Sequence, residues 1–238
     1  LNGFLSHVMK LGDFKGESFE MSMIYTGKES PAKRIILIGL GEKEKFSVEN
    51  FRQITGEIGR KIQDLGIEVF TMPVFDLPER GFNISLLVRQ MVEGYALGLY
   101  HFDTYFSKKK ERKIKKICFL VNSQEQCDEV KMAIKRGLNV AEATCYARDL
   151  VNHPANVVHP LRIVEEAKKL ASHPDIKVET WIGEEVTRLG FGGLEAVARG
   201  SSYPATFSVI DYHPKGNIVG TIAIVGKYVH LMDSYKSL

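Results

Sequence analysis

The sequence predicts an α/β fold in two domains, and two observations carry that reading. The run Arg34 to Leu40, RIILIGL, is apolar almost throughout, as in a strand buried on both faces, and a helical face and a further strand follow it. The same alternation resumes beyond residue 160 and reaches a last apolar run at Thr221 to Val225, a second α/β layer begun and not finished. A chain of 238 residues can bury a core without help and can hold two small domains.

Taken in order, Phe19 to Tyr25 has strand composition, and Gly39 and Gly41 end the RIILIGL strand. Ser47 is placed to cap a helix in which Phe51, Ile54, Ile58, Ile62 and Leu65 recur at three and four residues and paint one face. Gly66 closes that helix and Ile67 to Val74 returns as a strand, so this half reads as wound rather than as a meander. Asn83 to Phe102 predicts a second helix along Leu86, Leu87, Met91, Tyr95 and Leu99. The segment Lys108 to Lys116, KKKERKIKK, is a solvated loop leading into a strand over Ile117 to Val121. Ser123 then caps a long helix through Val130, Ile134, Leu138, Ala141, Cys145 and Leu150.

That helix runs into ARDLVNHPANVVHP, Ala147 to Pro160, the junction around which the chain is organised. His153 precedes Pro154, and a proline ring drives the preceding residue out of the helical region, so the helix stops near Asn152. Asn156 suits the turn, and Pro160 suits a first helical position, where its missing N–H costs nothing, so a new helix covers Leu161 to Ser172. Beyond it, Ile176 to Ile182 is a strand, Glu184 to Leu189 a short helix stopped by Gly190, and Thr206 to Tyr212 and Thr221 to Val225 two more strands.

Composition excludes several classes. A net charge of +3 against 26% charged residues is not that of a polycation built for nucleic acid. Cys118, Cys127 and Cys145 are too few and scattered for a disulfide framework or a four-ligand zinc knot, so reduced thiols and a cytoplasmic location are expected. No apolar run is long enough to span a bilayer, and LNGFLSHVMKLGDF lacks the continuous apolar core of a signal peptide. The chain opens on Leu1 rather than Met and stops shortly after an apolar strand, which is expected of a partial chain.

The residues themselves offer few sharp sites. Gly39-Leu40-Gly41 could let backbone amides approach a phosphate, but the third glycine and the acidic partner of a dinucleotide fingerprint are not in place. No strand, elbow and helix surround Ser201 or Ser202, His-Glu-x-x-His is absent, and the 7 histidines are dispersed. Glu165-Glu166 and Glu184-Glu185 are expected near helix starts, complementing the macrodipole. Lys227 is sharper. It closes the apolar run TIAIVGK at a strand's carboxyl end, where open α/β sheets place ligands, and a lysine desolvated beside cations can bind metal as a neutral amine. The alternative is that it snorkels to water. Asp233 is the only carboxylate after it and could coordinate a hard cation.

Four segments together resemble the leucyl (cytosol) aminopeptidase family: EGYALGLYHFDTY from Glu93, ARDLVNHPANVVHP from Ala147, GFGGLEAVARGSSYPA from Gly190, and IAIVGK from Ile222 to Lys227. They fall in order and at suitable separations; before Glu93 only the strand and helix pattern matches. The resemblance implies a macro-domain-like N-terminal α/β domain over residues 1–125, a linking helix and junction over 126–160, and an incomplete metallopeptidase catalytic domain with a mixed sheet over 161–238. It implies peptide substrates, hexameric assembly, and two divalent cations, zinc, manganese or magnesium, that activate a water for attack on the first peptide carbonyl.

By the same resemblance Lys227 matches the metal-binding lysine of the family's Val-Gly-Lys motif. This sequence then departs from the pattern. It has Tyr228 where the family has glycine and Met232 where the family has an aspartate ligand, with Asp233 one step later. In extended chain a one-residue slip turns a carboxylate to the other face. Lys236 has the wrong spacing for the catalytic lysine, so no catalytic residue is assigned, and the remaining ligands would lie beyond Leu238. A truncated and inactive chain is the expectation. Two rival readings are a nucleotide or ADP-ribose binding module on the turn near Gly41, and a DNA-binding accessory protein using Lys108 to Lys116. Both rank below the peptidase.

Overall fold

A computed structural model describes residues 3–27 and 30–227. The chain divides into two compact units, Leu1–Arg148 and Asp149–Leu238.

The first unit contains α1 (Phe4–Leu11), β1 (Met21–Tyr25), β2 (Arg34–Ile38), α2 (Val48–Asp64), β3 (Val69–Pro73), α3 (Ile84–Gly98), β4 (Lys116–Leu120) and most of α4 (Gln124–Asn152). Strands β1 and β2 pair antiparallel, from Met21 opposite Ile38 to Tyr25 opposite Arg34. Strands β3 and β4 pair parallel, from Val69 opposite Lys116 to Pro73 opposite Leu120, with α3 as the crossover such a pair requires. The wound unit is therefore β3-α3-β4, and the expected pairing of β2 with β3 across α2 does not form among the described residues. RIILI is half-buried rather than buried on both faces, with Ile36 and Ile38 against the core.

Helix α2 begins where a capping serine should start it: Ser47 Oγ accepts from the Asn50 N–H at 3.1 Å. Gly66, at φ 67°, supplies the left-handed residue after it. Asn83 caps α3 in the same way, its Oδ1 accepting from Leu86 N–H at 2.8 Å. The predicted faces are the buried ones: Phe51, Ile54, Ile58 and Ile62 of α2 meet Leu87, Met91 and Tyr95 of α3 in one cluster. Burial pushes the Tyr95 phenol above its usual range.

The two helices approach until backbone meets backbone. A Cβ added at Gly94 would stand 1.9 Å from Thr55 Oγ1 and 2.4 Å from the Arg52 carbonyl oxygen, and one at Gly98 would stand 2.5 Å from the Gly56 carbonyl oxygen. Thr55, wholly buried, satisfies its hydroxyl by donating to the Arg52 carbonyl at 2.8 Å.

The basic segment hangs on buried Gln63. Its amide donates to the Glu111 carbonyl at 2.7 Å, and its side-chain oxygen accepts from the N–H groups of Lys113 at 3.1 Å and Ile114 at 3.2 Å. The cationic side chains thus project from a fixed backbone, as a solvated loop does.

The second unit contains α5 (Pro160–Leu170), β5 (Ile176–Ile182), α6 (Glu184–Arg188), α7 (Gly192–Ala198) and β6 (Thr206–Tyr212). His159 caps α5, its Nδ1 accepting from Arg162 N–H at 3.3 Å, and its ring stacks on Tyr203 with centroids 4.3 Å apart. Strands β5 and β6 cover the predicted residues and pair antiparallel, Ile176 opposite Tyr212 through Ile182 opposite Thr206.

Two expectations need correction here, and one helix was not foreseen. Glu165 and Glu166 lie outside the first turn of α5; Glu166 is instead held at 2.6 Å by Arg162 and 2.7 Å by Lys169, a charge pairing rather than a dipole role. Helix α7 forms over a glycine-led stretch that gave no helical signal. The strand expected over Thr221 to Val225 is absent: Ile222, Ile224 and Val225 are 89%, 93% and 94% exposed. A strand needs a hydrogen-bonded neighbour, and β5 and β6 bond only each other among the described residues.

Candidate functional site

Lys227 is the last residue described, and it is exposed at the end of that unpaired run. It does not emerge from a sheet edge as its sequence context suggested. Asp233 lies outside the described residues. Among the described residues no three His, Cys, Asp or Glu side chains gather where a metal ion could sit. The described residues by themselves assemble no ligand set for a pair of divalent cations.

The turn near Gly41 spends both of its glycine amides on the chain itself. Gly39 N–H donates to the Glu20 carbonyl at 2.8 Å and Gly41 N–H to the Gly16 carbonyl at 2.9 Å, so both amides are spent. A Cβ on Gly39 would lie 1.9 Å from the Glu17 carbonyl oxygen. These glycines admit the chain's own segment, not a ligand. Ser201 is likewise committed locally, its Oγ accepting from Tyr203 N–H at 3.1 Å. Cys118, Cys127 and Cys145 form no disulfide.

Two of the motif segments meet inside the first unit. The Arg148 guanidinium, from the start of the junction, donates to the Leu97 carbonyl at 3.2 Å and sits 5.4 Å from the centre of the Tyr100 ring. Leu97 and Tyr100 belong to EGYALGLYHFDTY. The contact ties the carboxyl end of α3 to the late turns of α4, a structural reason for those residue types to occur together.

Beside that contact lies a solvent-open cleft of about 430 Å³, lined by Phe19, Arg52, Gln53, Gly56, Glu57, Arg60, Gly94, Leu97, Gly98 and Arg148. Sequence reasoning missed it. The available signal was Arg52, Gly56 and Arg60 at successive four-residue steps, one row of α2 beside its apolar face.

Comparison with known proteins agrees with the motif order. The model of the cytosol aminopeptidase family N-terminal domain matches residues 1–109, and that of the family's catalytic domain matches residues 145–232. A protein described as probable cytosol aminopeptidase from Sulfurihydrogenibium sp. (strain YO3AOP1) is 35% identical over 95% of this chain and 44% of its own length. One with the same description from Aquifex aeolicus (strain VF5) is 32% identical over 92% of this chain and 43% of its own length. The chain thus spans somewhat under half the length of these relatives.

Among solved structures, the bottromycin maturation enzyme BotP in complex with Mn aligns with a TM-score of 0.69 at 26% identity, over 88% of this chain and 42% of that one. A mutant of tomato leucine aminopeptidase aligns with a TM-score of 0.72 at 22% identity, over 91% of this chain and 42% of that one, a likeness of fold. With both family domains matched in order along the chain, this protein belongs to the cytosol aminopeptidase family, of which it carries the N-terminal domain and the first part of the catalytic domain.

Proposed function

We propose that this chain is part of a metallo-aminopeptidase that removes amino-terminal residues from peptides with the help of two divalent cations, and that its 238 residues alone do not turn over substrate. The observation that carries the reading is the succession of two family domains, residues 1–109 and 145–232, along one chain. The Mn complex of the related BotP supports a divalent cofactor, with manganese, zinc or magnesium as the candidates. Within this reading Lys227 supplies one metal ligand and Asp233 is a weaker second candidate. A catalytic role is assigned to no residue. The division into 1–125, 126–160 and 161–238, a hexameric assembly and a cytoplasmic location belong to the same proposal; the relatives' description as cytosol aminopeptidases supports the location. No helix of the described residues is long and apolar enough to cross a membrane.

The test compares two polypeptides. Titrated with zinc or manganese, the 238-residue chain is expected to bind at most one ion weakly and to release no p-nitroaniline from leucyl p-nitroanilide. A version extended to the relatives' length is expected to release it and to lose that activity in Lys227→Ala. Two tight sites with hydrolysis in the short chain would overturn its incompleteness, and an extended protein inert with both metals would overturn the peptidase reading.

A further inference from the structure

We propose that the cleft between α2 and α3 binds a small organic oxyanion, a phosphate or carboxylate carried on a flat ring. The inference is independent of the peptidase reading, because every residue of this cleft lies in the first unit and none is a candidate metal ligand.

Three guanidinium groups, of Arg52, Arg60 and Arg148, line one opening of about 430 Å³, a volume within the range of small-molecule sites. Their own contacts hold them in place without exhausting them. Arg52 gives Nε and Nη2 to Glu49 Oε2; Arg60 gives Nε and Nη2 to Glu57 and reaches the Gly98 carbonyl at 3.5 Å through Nη1; Arg148 gives Nη1 to the Leu97 carbonyl. A guanidinium has about five N–H donors in a fixed fork, so each can still present a pair to an oxyanion. Glu49 and Glu57 offset part of the charge, and an excess of cation remains.

The floor is largely backbone. At Gly56, Gly94 and Gly98 the two helices come too close for a Cβ, with the Thr55 side chain packed against Gly94, so the cleft floor is held rigid and the arginines must outweigh the carbonyl oxygens near it. At the rim stands Phe19, the only non-glycine described residue with positive φ, 67°, and 42% exposed. A left-handed conformation is costly for a side chain with a Cβ, and glycine would occupy it without strain. Strain of this kind collects at ligand clamps, and here it falls on an aromatic residue of the cleft's lining that is left exposed instead of buried. Arginines for the oxyanion and an exposed ring for stacking together specify the ligand class.

The experiment is calorimetric titration of the whole chain at low ionic strength with three probes: adenosine monophosphate, 1-naphthoate and inorganic phosphate. Saturable binding of either ringed probe, tighter than inorganic phosphate, is expected, and which of the two wins tells phosphate from carboxylate. Arg60→Gln and Arg148→Gln should each weaken it about tenfold, the loss of a charge-assisted pair. Phe19→Gly should weaken the ringed probes while its melting temperature stays level or rises, since glycine relieves the strained φ, and the melt shows that the variant has folded. Absence of saturation with all three probes, or variants that bind as well as the parent while melting normally, would overturn the proposal.

Discussion

Ile54 in the first unit sits on one face of a polar helix and Ile224 in the second in a continuous apolar run, yet Ile54 is 1% exposed and Ile224 93%. The first unit closes on itself: α2 and α3 bury Phe51, Ile54, Ile58, Ile62, Leu87, Met91 and Tyr95 in one cluster, and Val88, Val130 and Ala133 join a second cluster beside it. The second unit buries only Val158, Val164, Ala167 and Val186 among its described apolar residues and leaves its most apolar run in solvent. Hydrophobic pattern creates a demand for burial, and only a partner element meets it. In the first unit the partners follow within a few dozen residues. In the second the run ending at Lys227 finds none among the described residues.

The contrast can be broken most forcefully where the first unit is tightest. Gly94→Val puts a branched side chain where a single Cβ would already lie 1.9 Å from Thr55 Oγ1 and 2.4 Å from the Arg52 carbonyl. Helix backbone cannot yield as a flexible side chain can, so α2 and α3 must separate, at a cost of about 3 kcal/mol or more. Urea denaturation followed by far-ultraviolet dichroism should show the first unit largely unfolded. A variant as stable as the parent would mean that the helices do not meet there.

The next largest effect is a matched pair. Leu87, wholly buried, should lose about 3 kcal/mol as Leu87→Ala, the transfer term plus the cavity left behind. Ile224→Ala removes a side chain already in water and should change stability by less than about 0.5 kcal/mol. If the two losses proved similar, the exposed run would have a partner in solution, and the asymmetry between units would vanish.

The same asymmetry decides what could be read in advance. Ser47, the spacing from Phe51 to Ile62, Gly66, Asn83, the His153-Pro154 stop and Pro160 as a first helical residue act within one or two turns of chain, and each does what its local chemistry requires. Features set by distant residues were not legible. The apolar run of β2 gave no sign that β1 rather than β3 would be its neighbour, and GGLEAVA gave no sign of α7. Gly39 and Gly41 read as a strand-ending turn, and glycine marks close approach without saying by what; here it is the segment around Gly16 and Glu17. Of the candidate site, sequence motifs carried the family, whereas Lys227 ends an exposed, unpaired run and Asp233 lies outside the described residues.

Gln63 offers a smaller and more specific test of how the first unit holds its irregular parts. Gln63→Leu keeps the bulk but strands the N–H groups of Lys113 and Ile114 and the Glu111 carbonyl. A loss of about 1–3 kcal/mol is expected if those groups stay buried, and less if water reaches them. Hydrogen exchange separates the cases: the amides of Lys113 and Ile114 should exchange faster in the variant while those of the α2 core turns do not. Unchanged exchange at both amides would remove Gln63 as the anchor of the basic loop.

The smallest effect compares the helix caps of the two units. Ser47→Ala removes an oxygen that accepts from Asn50 N–H at 3.1 Å, and His159→Ala removes a nitrogen that accepts from Arg162 N–H at 3.3 Å. A lost cap costs about 1 kcal/mol, so by hydrogen bonding alone the two variants should be similar. His159 also stacks at 9° on Tyr203, which sits just before β6, so its removal frees a contact between α5 and the strand segment as well. His159→Asn restores a good capping side chain without the ring. If capping is the whole of the role, Asn recovers all the stability lost in the alanine variant; if the stack matters, it recovers only part, and the shortfall measures what the second unit gains from a ring contact where its apolar core is thin.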